Sequence, residues 1–200
     1  MKKVVALLMM MQFGFGFAQA QFDLAGVEKF QKELNAEYAD AKTSPLLPED
    51  LKEFKSLDFY PANDHFFVVA QFIRSENEQP FEMKTTTARK PVYVKYGEAH
   101  FSIDGQFFKL NIYRNIELSK KEQYKDYLFL PFSDLTCGNE SYIGGKYIDM
   151  KIPQGDTIVI DFNTSYNPYC AYNPKYSCPK VPLENVLKIE IRAGVKKFHD

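Results

Sequence analysis

PVYVKYGEAHFSIDGQFFKLNIYR, residues 91–114, is the segment that determines the fold class. Apolar and polar residues alternate along most of it, and a period of two is typical of β-strands. The dipeptide Asp104-Gly105 interrupts the alternation, and this pair favours the two-residue turn of a β-hairpin. The sequence therefore predicts short strands at residues 91–96 and 99–103. A tight turn joins the second of these to an antiparallel partner at residues 106–114.

The same alternation recurs on both sides of the hairpin. It predicts further short strands at residues 66–74, 81–87, 127–132, 147–152, 157–163 and 188–195. No helical pattern separates these segments, so βαβ units are excluded and the sheet is mostly antiparallel. The predicted fold class is mainly β, an antiparallel sandwich or a partly open barrel, with one or two N-terminal helices.

The region before the strands, residues 21–60, is predicted to be helical. Val27, Phe30 and Leu34 recur at helical spacing within residues 22–41, and Asp23 is a plausible N-cap. A second, short helix is predicted at residues 48–57, where Pro48 suits the first turn. We expect both helices to dock against a β domain that covers residues 61–200.

Residues 1–20 have the layout of a cleaved secretory signal peptide. Lys2 and Lys3 precede an uncharged run at residues 4–17, and Ala18 and Ala20 occupy the two positions that a signal peptidase reads. The run is too short to span a bilayer comfortably, although an uncleaved anchor is the alternative. The pattern predicts a periplasmic or secreted protein with no membrane segment in its mature form.

Composition and motifs exclude several function classes. The formal net charge is −1 and there is no basic stripe, so the chain lacks the electrostatic footprint of a nucleic-acid-binding protein. The GxSxG, HExxH, CxxC and P-loop motifs are absent. The prediction is therefore no cofactor and no metal, with an unidentified small molecule or protein as the partner.

Three cysteines raise the question of a disulfide. Because the number is odd, at least one of Cys137, Cys170 and Cys178 is unpaired within the chain. In an oxidising compartment, Cys170 and Cys178 are the natural disulfide pair, and Cys137 is left free. A metal-binding thiolate pair and unbridged thiols are the alternatives for Cys170 and Cys178.

Residues 161–185 are predicted to form an ordered capping loop, because four prolines end the strand while four tyrosines supply packing groups. A second polar loop covers residues 132–147. Functional residues are usually found on ordered loops of this kind. The catalytic candidates are Asp134, Glu140, Asp161 and Cys170; the ligand-binding candidates are Tyr142, Tyr147, Asn163, Tyr166, Asn167, Tyr172, Asn185 and Arg192.

Two functions fit these loops. The first is a non-catalytic extracytoplasmic β domain that binds a small polar ligand or a partner. The second is an enzyme, for example a hydrolase, in which the carboxylates are acids or bases and a cysteine is the nucleophile or a metal ligand. Asp161 illustrates the ambiguity, because a carboxylate at the end of a strand is either a turn former or a site acid.

Three segments resemble a bacterial family known only as a domain of unknown function, number 1684 in its series. They read PFSDLTCGNESYIGGKYIDM (131–150), DFNTSYNPYCAYNPKYSCPKVPLEN (161–185) and IEIRAGVK (189–196), with looser similarity at residues 44–46, 54–61 and 96–105. Cys137 departs from the family at a position where a small hydroxyl residue is expected, and Lys146 stands where the family tends to have arginine. The resemblance implies a fold and a site location without an activity. It also implies that the cap cysteines are kept in chains without secretion signals, which favours thiol chemistry or a metal over a structural bridge.

Overall fold

The computed structural model describes residues 20–199. The predicted signal peptide, apart from Ala20, lies outside these residues. Two α-helices and seven β-strands follow in chain order: α1 (Leu24–Ala39), α2 (Pro48–Glu53), β1 (Phe67–Arg74), β2 (Phe81–Glu82), β3 (Val92–Ile103), β4 (Gln106–Asn115), β5 (Tyr127–Phe132), β6 (Lys146–Lys151) and β7 (Thr157–Asp161). Both helices precede the first strand, as the sequence predicts.

The strands form one curled antiparallel sheet with the shape of a half-barrel. Its order is β6-β5-β4-β3-β1-β7, and β2 pairs with β3 beside this path. The predicted mainly β fold is confirmed, and the structure corresponds to the partly open barrel rather than the sandwich. The strands β6 and β7 lie at the two open ends of the sheet.

The predicted hairpin is confirmed as β3 and β4, which pair from Ile103 and Gln106 at the turn along most of their length. Asp104 and Gly105 both have positive φ, 51° and 74°. Two consecutive residues with positive φ form the type of turn whose twist matches that of the flanking strands. The hairpin therefore has the local geometry that its sequence favours.

The main core lies on one face of the sheet. Alternate residues of the strands point to it, and Phe132, Ile160 and Phe162 are fully buried there. Within β5, Leu128 and Leu130 also point into this core. The residues next to them in the sequence point to the opposite face, because successive side chains alternate across a strand. That opposite face carries Tyr127 and Phe129, and it is the face that builds the cavity described below.

The predicted last strand, residues 188–195, is wrong as a strand. Its alternation is correct, since Ile191 and Ala193 are buried, but it forms no strand ladder. Its backbone is bonded by a mixture of side chains and loop backbone: the Asp134 carboxylate accepts from the Ile191 amide, and the Lys146 ammonium donates to the Ile191 and Ala193 carbonyls. The Leu135 amide donates to the Ile189 carbonyl, and Val195 forms one isolated bridge with Phe59. A period of two therefore reports which side chains are buried, and not which group bonds the backbone.

Two other predicted elements are shorter in the structure. The strand predicted at residues 81–87 ends at Glu82, because Thr85 turns the chain by donating from its hydroxyl to the carbonyl of Arg89. The second helix ends at Glu53 instead of residue 57. The strands predicted on either side of residue 97 are in fact one strand, β3, with an irregularity between Lys95 and Gly97.

Candidate functional site

Asp134, a catalytic candidate, belongs to a buried ion pair. Its side chain and that of Lys146 have no exposed surface, and Lys146 Nζ lies 3.2 Å from Asp134 Oδ2. The other carboxylate oxygen accepts from the amides of Thr136 at 2.8 Å and Ile191 at 3.2 Å. Burial lowers the pKa of Lys146, and the nearby Asp134 opposes that effect. Every donor and acceptor of this pair is used to hold loops together, so the pair is structural.

Asn185, a ligand-binding candidate, is fully buried between β4 and β5. Its Nδ2 donates to the carbonyls of Asn111 at 2.8 Å and Pro131 at 2.6 Å, and its Oδ1 accepts from the Asn111 amide at 2.8 Å. A side-chain amide has the same donors and acceptors as a peptide group. Asn185 therefore connects two strands that share one ladder pair, Tyr113 and Phe129.

Asp161 forms a turn at the start of the capping loop. Its Oδ1 accepts from the Asn163 amide at 3.0 Å and from Asn163 Nδ2 at 2.8 Å. Burial raises the pKa of Asp161, and the two hydrogen bonds from Asn163 oppose the rise. Asn163 also donates to the carbonyl of Asn63, so both candidates fix backbone and neither faces the cavity described below.

Four further candidates lie apart from one another or support packing. Asn167 donates to the Lys196 carbonyl at 2.8 Å, and Tyr172 is buried against Tyr38 with ring centroids 4.9 Å apart. Glu140 and Arg192 form an exposed ion pair at 2.8 Å. The hydrogen bond from Arg192 lowers the pKa of Glu140. The three candidate carboxylates therefore do not share a cavity, and they do not form an acid–base pair.

Tyr147 and Tyr166 line a cavity of about 440 Å³, which we call the tyrosine pocket. It lies between α1, the capping loop and the sheet face opposite the main core. Six tyrosines contribute to its wall, together with two phenylalanines, two carboxylates, one arginine and one cysteine. These residues are Tyr93, Tyr127, Tyr147, Tyr166, Tyr169, Tyr176, Phe30, Phe129, Glu37, Asp149, Arg89 and Cys178.

Aromatic rings in the tyrosine pocket meet edge to face. The Tyr147 ring is nearly perpendicular to Tyr166, at 89° with centroids 6.0 Å apart, and it meets Phe129 at 4.7 Å and 74°. Such arrangements are favourable for aromatic pairs. The Tyr147 hydroxyl also donates to the Pro179 carbonyl, so the ring is fixed at both ends. The wall is therefore rigid and aromatic on the sheet side.

Asp149 is the charged group at the floor of the pocket. It follows Tyr147 by two residues on β6, so both side chains point to the same face. Its Oδ1 accepts from the Tyr166 hydroxyl at 2.6 Å and from the Tyr127 hydroxyl at 2.7 Å. Asp149 lines the cavity and is nevertheless exposed to solvent. Two short bonds to one oxygen orient the carboxylate while its other oxygen stays available.

Four tyrosines of the pocket remain protonated because their pKa values are raised. Burial, reinforced by the charge of Asp149, raises the pKa values of Tyr127 and Tyr166 above 10. Burial likewise raises those of Tyr93 and Tyr147. The phenols are therefore neutral hydrogen-bonding groups at ordinary pH, and they contribute no negative charge to the pocket.

Two other charged residues lie at the pocket wall, and both have partners. Glu37 of α1 accepts a hydrogen bond from the Tyr169 hydroxyl. Arg89 donates from its Nη2 to the Ser177 carbonyl at 2.6 Å and from its Nε to the Ser177 hydroxyl at 3.1 Å. The pocket thus contains two carboxylates and one guanidinium, and Arg89 is already engaged by the loop.

The predicted disulfide is absent: Cys170 and Cys178 are both free, as is Cys137. Instead, the backbone amide of Cys170 donates to Cys178 Sγ at 3.2 Å. Tyr142, a ligand-binding candidate, places its hydroxyl 3.8 Å from Cys170 Sγ. The pair is thus held together by a hydrogen bond, without a covalent bond.

Sequence reasoning found only part of the tyrosine pocket. It identified Tyr147 and Tyr166, and it missed Asp149, Tyr127 and Tyr93. One signal was available, because Tyr147 and Asp149 share the polar side of the alternation in β6. The other residues come from elements far apart in the chain, and no local pattern connects them.

Comparison with known proteins identifies the family. A family profile described as "Protein of unknown function (DUF1684)" matches residues 52–196. The chain belongs to this family. The DUF1684 match includes β5, β6 and the capping loop, and it therefore covers most of the tyrosine pocket but not α1. No curated protein matches the chain.

A solved structure supports the fold of this DUF1684 chain. The solution NMR structure of an uncharacterized protein from Haloarcula marismortui is similar, with a TM-score of 0.68 and 28% sequence identity. The match covers 86% of this chain and 92% of the other. Between residues 20 and 199, no helix is long and apolar enough to cross a membrane. In the same residues, no three His, Cys, Asp or Glu side chains are grouped so that they could hold a metal ion.

Proposed function

We propose that this protein binds a small organic cation in the tyrosine pocket, as an extracytoplasmic binding domain. The observation that carries the proposal is Asp149, an oriented and solvent-exposed carboxylate in the wall of an aromatic cavity. A carboxylate beneath aromatic walls fits a ligand with a positive charge on an otherwise apolar body. A protonated amine or a quaternary ammonium has this chemistry.

The aromatic wall supports the same ligand class. A cation over the face of a tyrosine is attracted by the negative ring quadrupole, with about 2 kcal/mol or more available once the cation is desolvated. Neutral phenols preserve this attraction, because their pKa values are raised. An anionic ligand is disfavoured, since Asp149 and Glu37 line the cavity and the single guanidinium of Arg89 is bonded to Ser177.

The extracytoplasmic location rests on the sequence of residues 1–20 alone. A basic start, an uncharged run and small residues before Gln21 are the features of a signal peptide. A soluble binding domain outside the cytoplasm meets small solutes directly, which agrees with a pocket that opens to solvent. Expression of the whole chain in a bacterium, followed by fractionation and N-terminal sequencing, tests this location.

Isothermal titration calorimetry with choline tests the ligand class. We expect heat of binding for choline, and much weaker binding for dimethylbutanol, in which an uncharged carbon replaces the nitrogen. Asp149→Asn is the decisive variant, because the amide keeps an oxygen acceptor for Tyr127 and Tyr166 but removes the charge. We expect it to weaken choline binding about tenfold or more, equivalent to about 1.4 kcal/mol.

Glu33→Gln is the matched control. It removes the same charge from an exposed position on α1, where Glu33 pairs with Lys29 at 3.8 Å outside the pocket wall. Choline affinity should stay at the wild-type value in this variant. Equal binding of choline and dimethylbutanol, or an Asp149→Asn variant that binds choline normally, would remove the basis of the cation proposal.

The alternative prediction is an enzyme with Asp134, Glu140 and Asp161 as acids or bases and a capping-loop cysteine as nucleophile or metal ligand, and its carboxylate part has less support. Asp134 is neutralised by Lys146, Glu140 by Arg192, and Asp161 is bonded to the turn that it starts. Catalysis by paired carboxylates requires both groups at one substrate. These three side chains have separate partners in separate places.

A further inference from the structure

Cys170 and Cys178 form a second site beside the tyrosine pocket, which Cys178 also lines. They lie eight residues apart in the capping loop, and the amide of Cys170 donates to Cys178 Sγ at 3.2 Å. Cys178 is anchored to residues 84–86: its amide donates to the Thr86 hydroxyl at 3.1 Å, and its carbonyl accepts from the Thr86 amide at 2.9 Å. The backbone therefore presents one thiol to the other.

The two thiols differ in exposure. Cys178 is buried, with 6% of its surface exposed, whereas Cys170 is half-buried and lines a groove of about 430 Å³. Tyr142 and Lys180 also line this groove, and the exposed side chain of Leu183 lies at its edge. A small molecule in the groove meets Cys170, because Cys178 does not line the groove and contributes to the wall of the tyrosine pocket instead.

The hydrogen bonds assign different acidities to the thiols. The Cys178 thiol, the Tyr142 hydroxyl and the Thr86 hydroxyl all stabilise a negative sulfur at Cys170, and together they outweigh burial and lower the pKa of Cys170 to about 6. The same hydrogen bond to Cys170, together with burial, raises the pKa of Cys178. The first proton therefore leaves Cys170, and Cys178 keeps its own.

We propose that Cys170 and Cys178 form a thiol–disulfide exchange site for small disulfides that enter the groove. Cys170 is the attacking residue and Cys178 is the resolving residue. The thiolate is the reactive form of cysteine, and exchange is fastest when the attacking thiol titrates near the ambient pH. A buried partner held next to the attacking sulfur then makes the second step intramolecular.

The reaction balances as two displacements. The Cys170 thiolate attacks one sulfur of a disulfide R–S–S–R, the S–S bond breaks, and a thiolate RS⁻ leaves. Cys178 transfers its proton to this thiolate and attacks Cys170 Sγ, which forms the Cys170–Cys178 bond and releases a second RS⁻. The cysteine pair loses two electrons, and the small disulfide is reduced to one thiol and one thiolate.

Alkylation with iodoacetamide, followed by mass spectrometry of the Cys170 and Cys178 peptides, tests the acidity. A Cys137→Ser background removes the third thiol from the measurement. We expect the Cys170 alkylation rate to reach half its maximum near pH 6, and at pH 7 we expect Cys170 to react at least tenfold faster than Cys178. Cys178→Ser should move the midpoint upward, toward the value of about 8.5 for an ordinary thiol.

Glutathione disulfide tests the exchange itself. The intact pair should lose two hydrogen atoms in mass without retaining glutathione, whereas Cys178→Ser should stop with glutathione on Cys170. Cys170→Ser should leave Cys178 unmodified. The proposal fails if Cys170 in the intact pair keeps its glutathione, or if its alkylation midpoint lies above pH 8. Both results are measured at the cysteines of the protein without choline, so failure of this proposal is distinguishable from failure of the cation proposal.

Discussion

Replacing Lys146 with methionine tests the buried ion pair of the structure. Lys146 has no exposed surface, and its ammonium donates to the carbonyls of Ile191 at 2.9 Å and Ala193 at 3.3 Å beside Asp134 at 3.2 Å. Methionine has a similar length and volume, so Lys146→Met removes the charge and the donors without opening a large cavity. The variant therefore isolates the electrostatic contribution.

The expected cost of Lys146→Met is about 3 kcal/mol of unfolding free energy. Removing one partner of a buried ion pair costs about 3–5 kcal/mol, because the other charge stays buried without compensation. Asp134 keeps the amides of Thr136 and Ile191 as donors, which places the cost at the low end of that range. For a chain of this size, the melting temperature should fall by about 6–12 °C.

Urea unfolding at pH 7, followed by circular dichroism, measures this effect. The double variant Asp134→Asn/Lys146→Met should be more stable than the sum of the single variants predicts, by about 2 kcal/mol. An asparagine at this position keeps an oxygen for the two amide donors and leaves no charge without a partner. A Lys146→Met variant within 1 kcal/mol of the wild type, or strictly additive single variants, would refute the electrostatic reasoning.

The sheet was predictable because burial of one face imposes a two-residue period. The hairpin at Asp104 and Gly105 could be predicted from the local sequence alone, because the turn residues and the alternation of the flanking strands indicate the same structure. The failure at residues 188–195 has a physical reason as well. Alternation there follows from the burial of Ile191 and Ala193, whereas the backbone partners are single side-chain and backbone groups from several distant segments. Sequence periodicity carries no information about those partners.

The candidate site was predictable only where it coincides with the capping loop. An aromatic, proline-rich loop indicates an ordered structure, and Tyr166 indeed lines the pocket. Most other polar residues of the loops, such as Asn185 and Asp134, satisfy buried backbone groups, because irregular segments lack ladder partners for them. The pocket itself depends on α1 and the capping loop packing against the sheet face that carries side chains of β3 and β6. Residues that are this far apart in the chain produce no regular spacing by which the sequence could reveal their contact.

Asn185 and Gly145 provide two further stability predictions, each with a matched control. Asn185→Ala should lower the free energy of unfolding by about 3 kcal/mol, because it leaves the buried Asn111 amide and carbonyl without their partner. The control Asn139→Ala, at an exposed position, should change it by less than 0.5 kcal/mol. Gly145→Ala should cost more than about 2 kcal/mol, because Gly145 has a φ of 87° and a Cβ there would lie 2.5 Å from the Phe132 carbonyl oxygen. At Gly155 a Cβ would meet no atom within 4 Å, so Gly155→Ala should be neutral or slightly stabilising. Urea unfolding measures all four variants, and a Gly145→Ala variant as stable as Gly155→Ala would show that the close approach of the 132 and 145 backbones is not required.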